Sequence, residues 1–266
     1  MNNKNLVYFI LTYKHQYIPL FSMLLEGICK YNNSKVNFDI MIITHQSLLP
    51  MIKSIKYLSE FNYEFMLVPD TDDLYTALKY KANIFDYPNI FKYDKVLFLD
   101  VDIIVQNSIS KLFDEFKPKD GILYAIHEQN GTHYHRFWSL IKYSKDDIKI
   151  FNKKGIVTFN SGTMMFKVSP KMEEHFRNLK KLIATSKVKN SFYDQSYFNH
   201  YFNKNLSIDT DYLQNKIVIF PISNTYYPYP TFLHFAGIGN YAMKTEEMSK
   251  YLKLLTQKKH KDLLIN

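Results

Sequence analysis

Asp100 and Asp102 stand two residues apart at the end of an apolar run, Val96-Leu97-Phe98-Leu99, and apolar residues resume at Ile103. Carboxylates that interrupt a buried-strand pattern are costly unless a partner satisfies them. Side chains of a strand alternate faces, so the spacing predicts both carboxylates on one side of the sheet and Val101 on the other. Two such carboxylates at the mouth of a sheet suit a hard divalent cation, which could in turn hold a diphosphate. A bare D-x-D pair is more often a strand end whose aspartates cap turns; the strand context distinguishes this one.

Three further polar clusters interrupt apolar surroundings. Asn160-Ser161-Gly162 lies inside a strand-like run, where Asn offers a donor and an acceptor and Gly permits close ligand approach, or else the three form a β-bulge. Asp194-Gln195 stands just ahead of a helical stretch with Phe198, Tyr201 and Phe202, a position where Asp usually caps. His234-Phe235-Ala236-Gly237 follows the strand-like Phe232-Leu233; a histidine there is a metal ligand or a hydrogen-bonded core residue. None of the three decides a function separately.

The elements that must position these groups follow from apolar periodicity. Leu6–Leu11, Phe38–Thr44, Tyr63–Val68 and Lys95–Val105 read as buried strands, and Ile18–Cys29, Leu48–Leu58 and Leu74–Phe85 as helices, the last carrying Lys81. Ser110–Phe116 follows as a short helix. This alternation predicts an α/β fold with a mostly parallel, Rossmann-like central sheet and helices on both faces, binding ligand beyond the carboxyl ends of its strands. Farther on, Gly121–Ile126 and Val157–Val168 read as strands and 128–152, with His133, His135 and Trp138, as a loop with helical pieces. Ser169-Pro170 opens a helix as N-cap and first residue. Phe192–Phe202 is a further helix, Lys216–Phe220 and Thr231–Phe235 are short strands, and the end is a basic helix. With no repeat and no low-complexity linker, residues 1–266 read as one domain.

The 266 residues carry a net charge of +9, 46% hydrophobic residues and a single cysteine. One cysteine excludes an intramolecular disulfide and fits a reducing compartment. Cys29 lies in an apolar helical pattern and reads as core rather than nucleophile. Leu6–Leu11 is too short to span a membrane and lacks a small-residue cleavage site, so the expectation is a cytoplasmic protein, or one in a host cytoplasm if viral. Part of the positive charge lies in Lys250–Lys261, which could meet an anionic membrane surface peripherally. The other lysines are dispersed, which argues against a nucleic-acid-binding module.

Taken in order, strand–D-x-D, F-N-S-G, D-Q-x-x-x-N and H-F-x-G resemble glycosyltransferase family 8, the glycogenin-like enzymes, over about Leu6 to Gly237. The resemblance implies a single GT-A domain: a nucleotide-binding half (1–105), a sugar and acceptor half (106–240) and the basic C-terminal helix (241–266). It implies a retaining transfer of a hexose from a UDP-sugar, with Mn²⁺ as cofactor or Mg²⁺ in its place, to an unidentified glycan, protein or lipid acceptor. By the same resemblance Asp100, Asp102 and His234 hold the metal. Leu11, Thr12, Tyr13 and Tyr17 hold the nucleoside, and Lys81, Val101 and Gly237 complete the donor site. Asn160, Asp194 and Gln195 lie at the reacting sugar. Two departures stand out. Asn240 replaces a common lysine, leaving Lys244 to reach the phosphate, and Glu128 substitutes for a carboxylate expected after the fifth strand. An amide at Gln195 is a poor nucleophile, which favours front-face attack over a covalent intermediate. The alternatives are a catalytically silent UDP-sugar-binding or scaffold protein and, less favoured without an N-terminal Gly-rich loop, a nucleotidyltransferase. Homodimerisation is left open.

Overall fold

The computed structural model describes residues 4–32, 36–71, 73–128, 143–186 and 193–264. The strands are β1 (Lys4–Leu11), β2 (Phe38–Thr44), β3 (Tyr63–Leu67), β4 (Tyr93–Leu99), β5 (Ile103–Val105), β6 (Leu123–His127), β7 (Phe159–Lys167), β8 (Ile208–Asp209), β9 (Ile217–Ile219) and β10 (Phe232–His234). The helices are α1 (Ile18–Tyr31), α2 (Leu49–Lys53), α3 (Leu74–Lys79), α4 (Ile109–Glu115), α5 (Lys145–Lys154), α6 (Pro170–Thr185), α7 (Tyr193–Lys204) and α8 (Tyr241–Leu264).

Seven strands form one sheet in the order β3-β2-β1-β4-β7-β6-β8. The β1–β2, β2–β3, β1–β4 and β6–β8 pairs are parallel, and β7 runs antiparallel to both β4 and β6. A second sheet, β5-β10-β9, stands apart from it. The continuous apolar runs have a simple cause: both faces of the large sheet are covered. Val7, Phe9 and Leu11 of β1 and Leu97 and Leu99 of β4 join one core with Leu20, Phe21, Leu24 and Ile28 of α1. Leu6 and Tyr8 of β1 and Val96 and Phe98 of β4 join the other with Met172, Phe176 and Leu179 of α6. The α/β architecture with helices on both faces is as expected.

Several boundaries differ. Lys95–Val105 is not one strand. The backbone N–H of Asp100 makes a last ladder bond to Gly162 O (2.7 Å), the chain turns through Val101-Asp102, and Asp102 O then accepts from Phe235 N (2.9 Å). The chain therefore changes sheets between the two aspartates. Leu74–Phe85 is α3 followed by a 3-10 helix over Tyr80–Asp86. The Tyr8 hydroxyl donates to Lys81 O at 3.2 Å, which takes that carbonyl out of an α-helical ladder. Leu48–Leu58 contains only the short α2, closed where the Ser54 hydroxyl bonds Met51 O, before a 3-10 turn at Lys56–Glu60. Strand β8 was not expected at all. Ser169 caps α6 as anticipated, its Oγ accepting from Met172 N at 3.1 Å. His133, His135, Trp138 and Phe192 lie outside the described residues. Burial pushes the half-buried Cys29 thiol up to about 11, in keeping with a core residue.

Strand β7 carries the decisive irregularity. Its pairing with β6 jumps from Ala125↔Met164 to Ile126↔Asn160, so Ser161, Gly162 and Thr163 bulge away from β6. On its other edge Leu99↔Thr163 stays in register with β4. The Asn160 side chain closes the bulge, its Oδ1 accepting from Gly162 N at 2.8 Å.

Candidate active site

The chain order β1, β2, β3 runs outward on one side of β1, and β4 is laid on the other. The carboxyl ends of β1 and β4 therefore diverge into different connections, and a crevice opens between them. That crevice is a cleft of about 240 Å³ lined by Ile10, Leu11, Thr12, Tyr13, Tyr17, Leu74, Ala77, Leu78, Asp100, Val101, Asp102 and Lys244. Its floor is apolar and one wall is charged. The Tyr13 and Tyr17 rings are 6.5 Å apart, and Tyr17 is 6.0 Å from Tyr241. The Thr12 hydroxyl donates to Ala77 O at 3.3 Å, tying the end of β1 to α3. Leu74, Ala77 and Leu78 were not anticipated as lining; they come from a helix whose inward face the sequence marks only as apolar.

At the charged wall, His234 Nε2 lies 3.2 Å from Asp102 Oδ1 and 3.7 Å from Asp100 Oδ2. One ligand atom from each of these three residues falls within 4.8 Å of the others. The aspartates converge because of the turn at Val101-Asp102, not because an extended strand presents them on one face. Gly162 sits against them. A Cβ on that residue would stand 2.2 Å from His234 Cε1 and 2.6 Å from Asp100 Oδ2, so only glycine leaves this space open. The donor set, two carboxylates and an imidazole, suits Mn²⁺. Among the described residues the buried His234 Nδ1 has no hydrogen-bond partner, so the ring is oriented by its packing and by the two carboxylates. These residues fit a divalent metal.

The charges are arranged in two buried groups. Lys81 Nζ lies 2.7 Å from Asp194 Oδ2 and 3.5 Å from Asp100 Oδ1, and it donates to Ser161 O at 2.9 Å. Only 1% of the Lys81 side chain is exposed, so it acts on its neighbours from beneath the cleft rather than lining it. Burial alone would favour neutral Lys81; Asp100 and Asp194 reverse this and hold it above the ordinary lysine value. Lys244 pairs with Asp102. Burial opposes the Asp102 charge, but His234 and Lys244 outweigh it and hold the carboxyl well below the usual range. Burial raises Asp100, with Lys81 opposing. Three carboxylates face two ammonium groups and the His234 imidazole; with that imidazole neutral, as metal ligation requires, the arrangement favours a further cation.

A hydrogen-bonded chain extends from this cluster. The Ser161 hydroxyl donates to Asp194 Oδ2 (3.1 Å), Ser161 N donates to Gln195 Oε1 (3.2 Å), and Gln195 Nε2 donates to Glu128 Oε2 (3.4 Å). Asp194 and Gln195 lie in the first turn of α7, held there by Asn199 one turn later. The Asn199 side chain accepts from Phe159 N and donates to Phe159 O, both at 2.8 Å, and donates to Gln195 O at 2.9 Å. Asn199 thus stands in for a neighbouring strand at Phe159, which pairs with β6 on one edge but lies beyond the last β7 residue paired with β4 on the other. The sequence marks Asn199 only as the last position of D-Q-x-x-x-N and gives Ser161 no role of its own, whereas Gly162 reads as a point of close approach. Gly237 does not line the cleft. It adopts φ +66° and lies against Phe220.

Residues 9–239 match the family model described as Glycosyl transferase family 8. The chain belongs to this family. No curated protein matches it significantly. Among solved structures it is similar to the galactosyltransferase LgtC in complex with donor and acceptor sugar analogues (13% identity, TM-score 0.62, 92% of this chain and 95% of that one). It is also similar to the apo bifunctional glycosyltransferase WbbM (17%, 0.60, 96% and 51%). A third is the apo form of GlyE from Streptococcus pneumoniae TIGR4 (17%, 0.58, 96% and 64%). The chain thus spans about half of WbbM and nearly all of LgtC. At these identities the likeness establishes a GT-A-like glycosyltransferase fold. The family-8 chain has, among its described residues, no helix long and apolar enough to cross a membrane.

Proposed function

We propose that this family-8 glycosyltransferase is a metal-dependent retaining enzyme that moves a hexose from a UDP-sugar to an acceptor hydroxyl. The observation that carries the reading is the convergence of Asp100, Asp102 and His234 on the space kept open by Gly162, at the end of a cleft of nucleoside size. Asp100, Asp102 and His234 would hold Mn²⁺, which when bound supplies Lewis-acid stabilisation of the leaving diphosphate. Leu11, Thr12, Tyr13 and Tyr17, with Leu74, Ala77 and Leu78, would enclose the nucleoside and exclude water from it. Lys244, on the cleft wall, would exchange its Asp102 contact for a phosphate oxygen.

Breaking the bond between the sugar C1 and the β-phosphate oxygen leaves UDP with added negative charge and an oxocarbenium-like sugar. Lys81, buried between Asp100 and Asp194, would offset the developing charge without reorganising. Retention needs a protein nucleophile or attack from the leaving-group side. The candidate nucleophiles are committed elsewhere. The Asp194 carboxylate is held by Lys81 and Ser161, and the Gln195 amide bridges Ser161 and Glu128. This supports front-face attack: the acceptor oxygen bonds C1 on the face UDP leaves, and its proton passes to the departing β-phosphate oxygen. Asp194, Gln195, Glu128 and Asn160 then position the sugar and the acceptor.

UDP release from a panel of UDP-sugars, with Mn²⁺ or with EDTA, tests the reading. One donor should turn over, only with metal, and Asp102→Ala should abolish the turnover while the protein stays folded. Failure of UDP to bind in the presence of Mn²⁺ would overturn it.

A further inference from the structure

Phe220 combines three features that its own packing does not repay. Its backbone is left-handed, at φ +58°, where the Cβ of a bulky residue is penalised. The residue is 45% exposed, so little apolar burial offsets that penalty. And it is fixed to the metal-site strand, Phe220 N donating to His234 O at 2.9 Å. Gly237 makes the room: a Cβ there would stand 2.8 Å from Phe220 Cε1, and Gly237 is itself left-handed. Two unusual backbone conformations thus cooperate to hold this half-exposed aromatic residue where its backbone meets that of His234. Strain retained without local repayment points to function.

The nucleoside is not what this ring awaits, because Phe220 is absent from the lining of the cleft between β1 and α3. We propose that Phe220 is the stacking platform for the acceptor, and that the acceptor is a sugar whose C–H face lies on the ring. This rests on the UDP-sugar reading above. A hexose offers C–H bonds on one face and hydroxyls around its edge. It can therefore stack on an aromatic ring and direct a hydroxyl toward the neighbouring donor carbon. An acyl chain can do only the first.

The test uses the full-length protein with Mn²⁺ and UDP, and methyl glycosides of glucose and galactose as probes, read by saturation-transfer NMR. The ring C–H protons should saturate in the wild type. Affinity for the glycoside should fall about tenfold in Phe220→Ala and be kept in Phe220→Trp, with UDP affinity unchanged in both. Phe220→Gly separates this role from packing, because glycine adopts positive φ freely. It should hold or raise Tm while losing the glycoside. The proposal is overturned if Phe220→Gly lowers Tm and leaves glycoside affinity intact. It is equally overturned if only N-acetyltyrosinamide or anionic phospholipid vesicles, and no glycoside, bind in a Phe220-dependent way. Wild-type protein that fails to bind UDP removes the donor reading as well; intact UDP binding with Phe220-independent glycoside binding removes this proposal alone.

Discussion

Gly162 has no room for a side chain. The Cβ of an alanine would lie 2.2 Å from His234 Cε1, so the imidazole or the β7 backbone must move. Gly162→Ala should therefore weaken Mn²⁺ binding and lower kcat/KM by about 100-fold, the cost of a displacement near 1 Å at a reacting centre, with little change in circular dichroism. Binding read by Mn²⁺ paramagnetic resonance that matches the wild type would refute this. At this scale the chain was partly legible. Asp100, Asp102 and His234 announce themselves because carboxylates and imidazole are conspicuous against apolar strands, and they do converge. Ser161 and Asn199 were not legible as working residues, since their value lies in backbone groups from distant segments. Phe220 was invisible because nothing in a Phe marks positive φ.

Among the elements, β7 and α7 set the geometry together. The bulge at Ser161–Thr163 turns polar groups toward Lys81 and Asp194, and α7 supplies the hydrogen bonds that Phe159 lacks where β4 no longer runs beside β7. Asn199→Leu would strand a buried N–H and a buried C=O of Phe159. Unfolding in urea should show a loss of about 1–3 kcal/mol per unsatisfied group. Turnover should fall as well, because Gln195 lies one turn away. A variant of wild-type stability would mean that α7 is held by its apolar face alone. The strands of the parallel half were readable because burial on both faces gives unbroken apolar runs. The break between β4 and β5 was not, since a change of sheet depends on what waits on either side: Gly162 on one, Phe235 on the other.

For the molecule as a whole, α8 is more than a solvated basic tail. Met248, Tyr251 and Leu255 are buried, and the Tyr251 hydroxyl donates to Gln106 Oε1 at 3.0 Å and accepts from Tyr227 N at 3.2 Å. Deleting residues 250–266 should abolish cooperative thermal unfolding, because each large core side chain removed costs about 2–5 kcal/mol. Deletion from Lys258 onward spares those anchors and should leave Tm and UDP binding near the wild-type values. Equal tolerance of both truncations would contradict this. The Lys81 cluster has a consequence in time. Its ammonium group bonds Ser161, 80 residues later in the chain, and Asp194, later still; Asp102 meets Lys244 across 142 residues. At roughly 5–20 residues per second, Lys81 emerges from the ribosome some 4–16 s before Ser161. Until then the nascent chain can pair Lys81 only with Asp100, and a polypeptide that ends before His234 lacks the third residue of the Asp100-Asp102-His234 cluster. Assembly of the candidate site is therefore among the last events of biosynthesis.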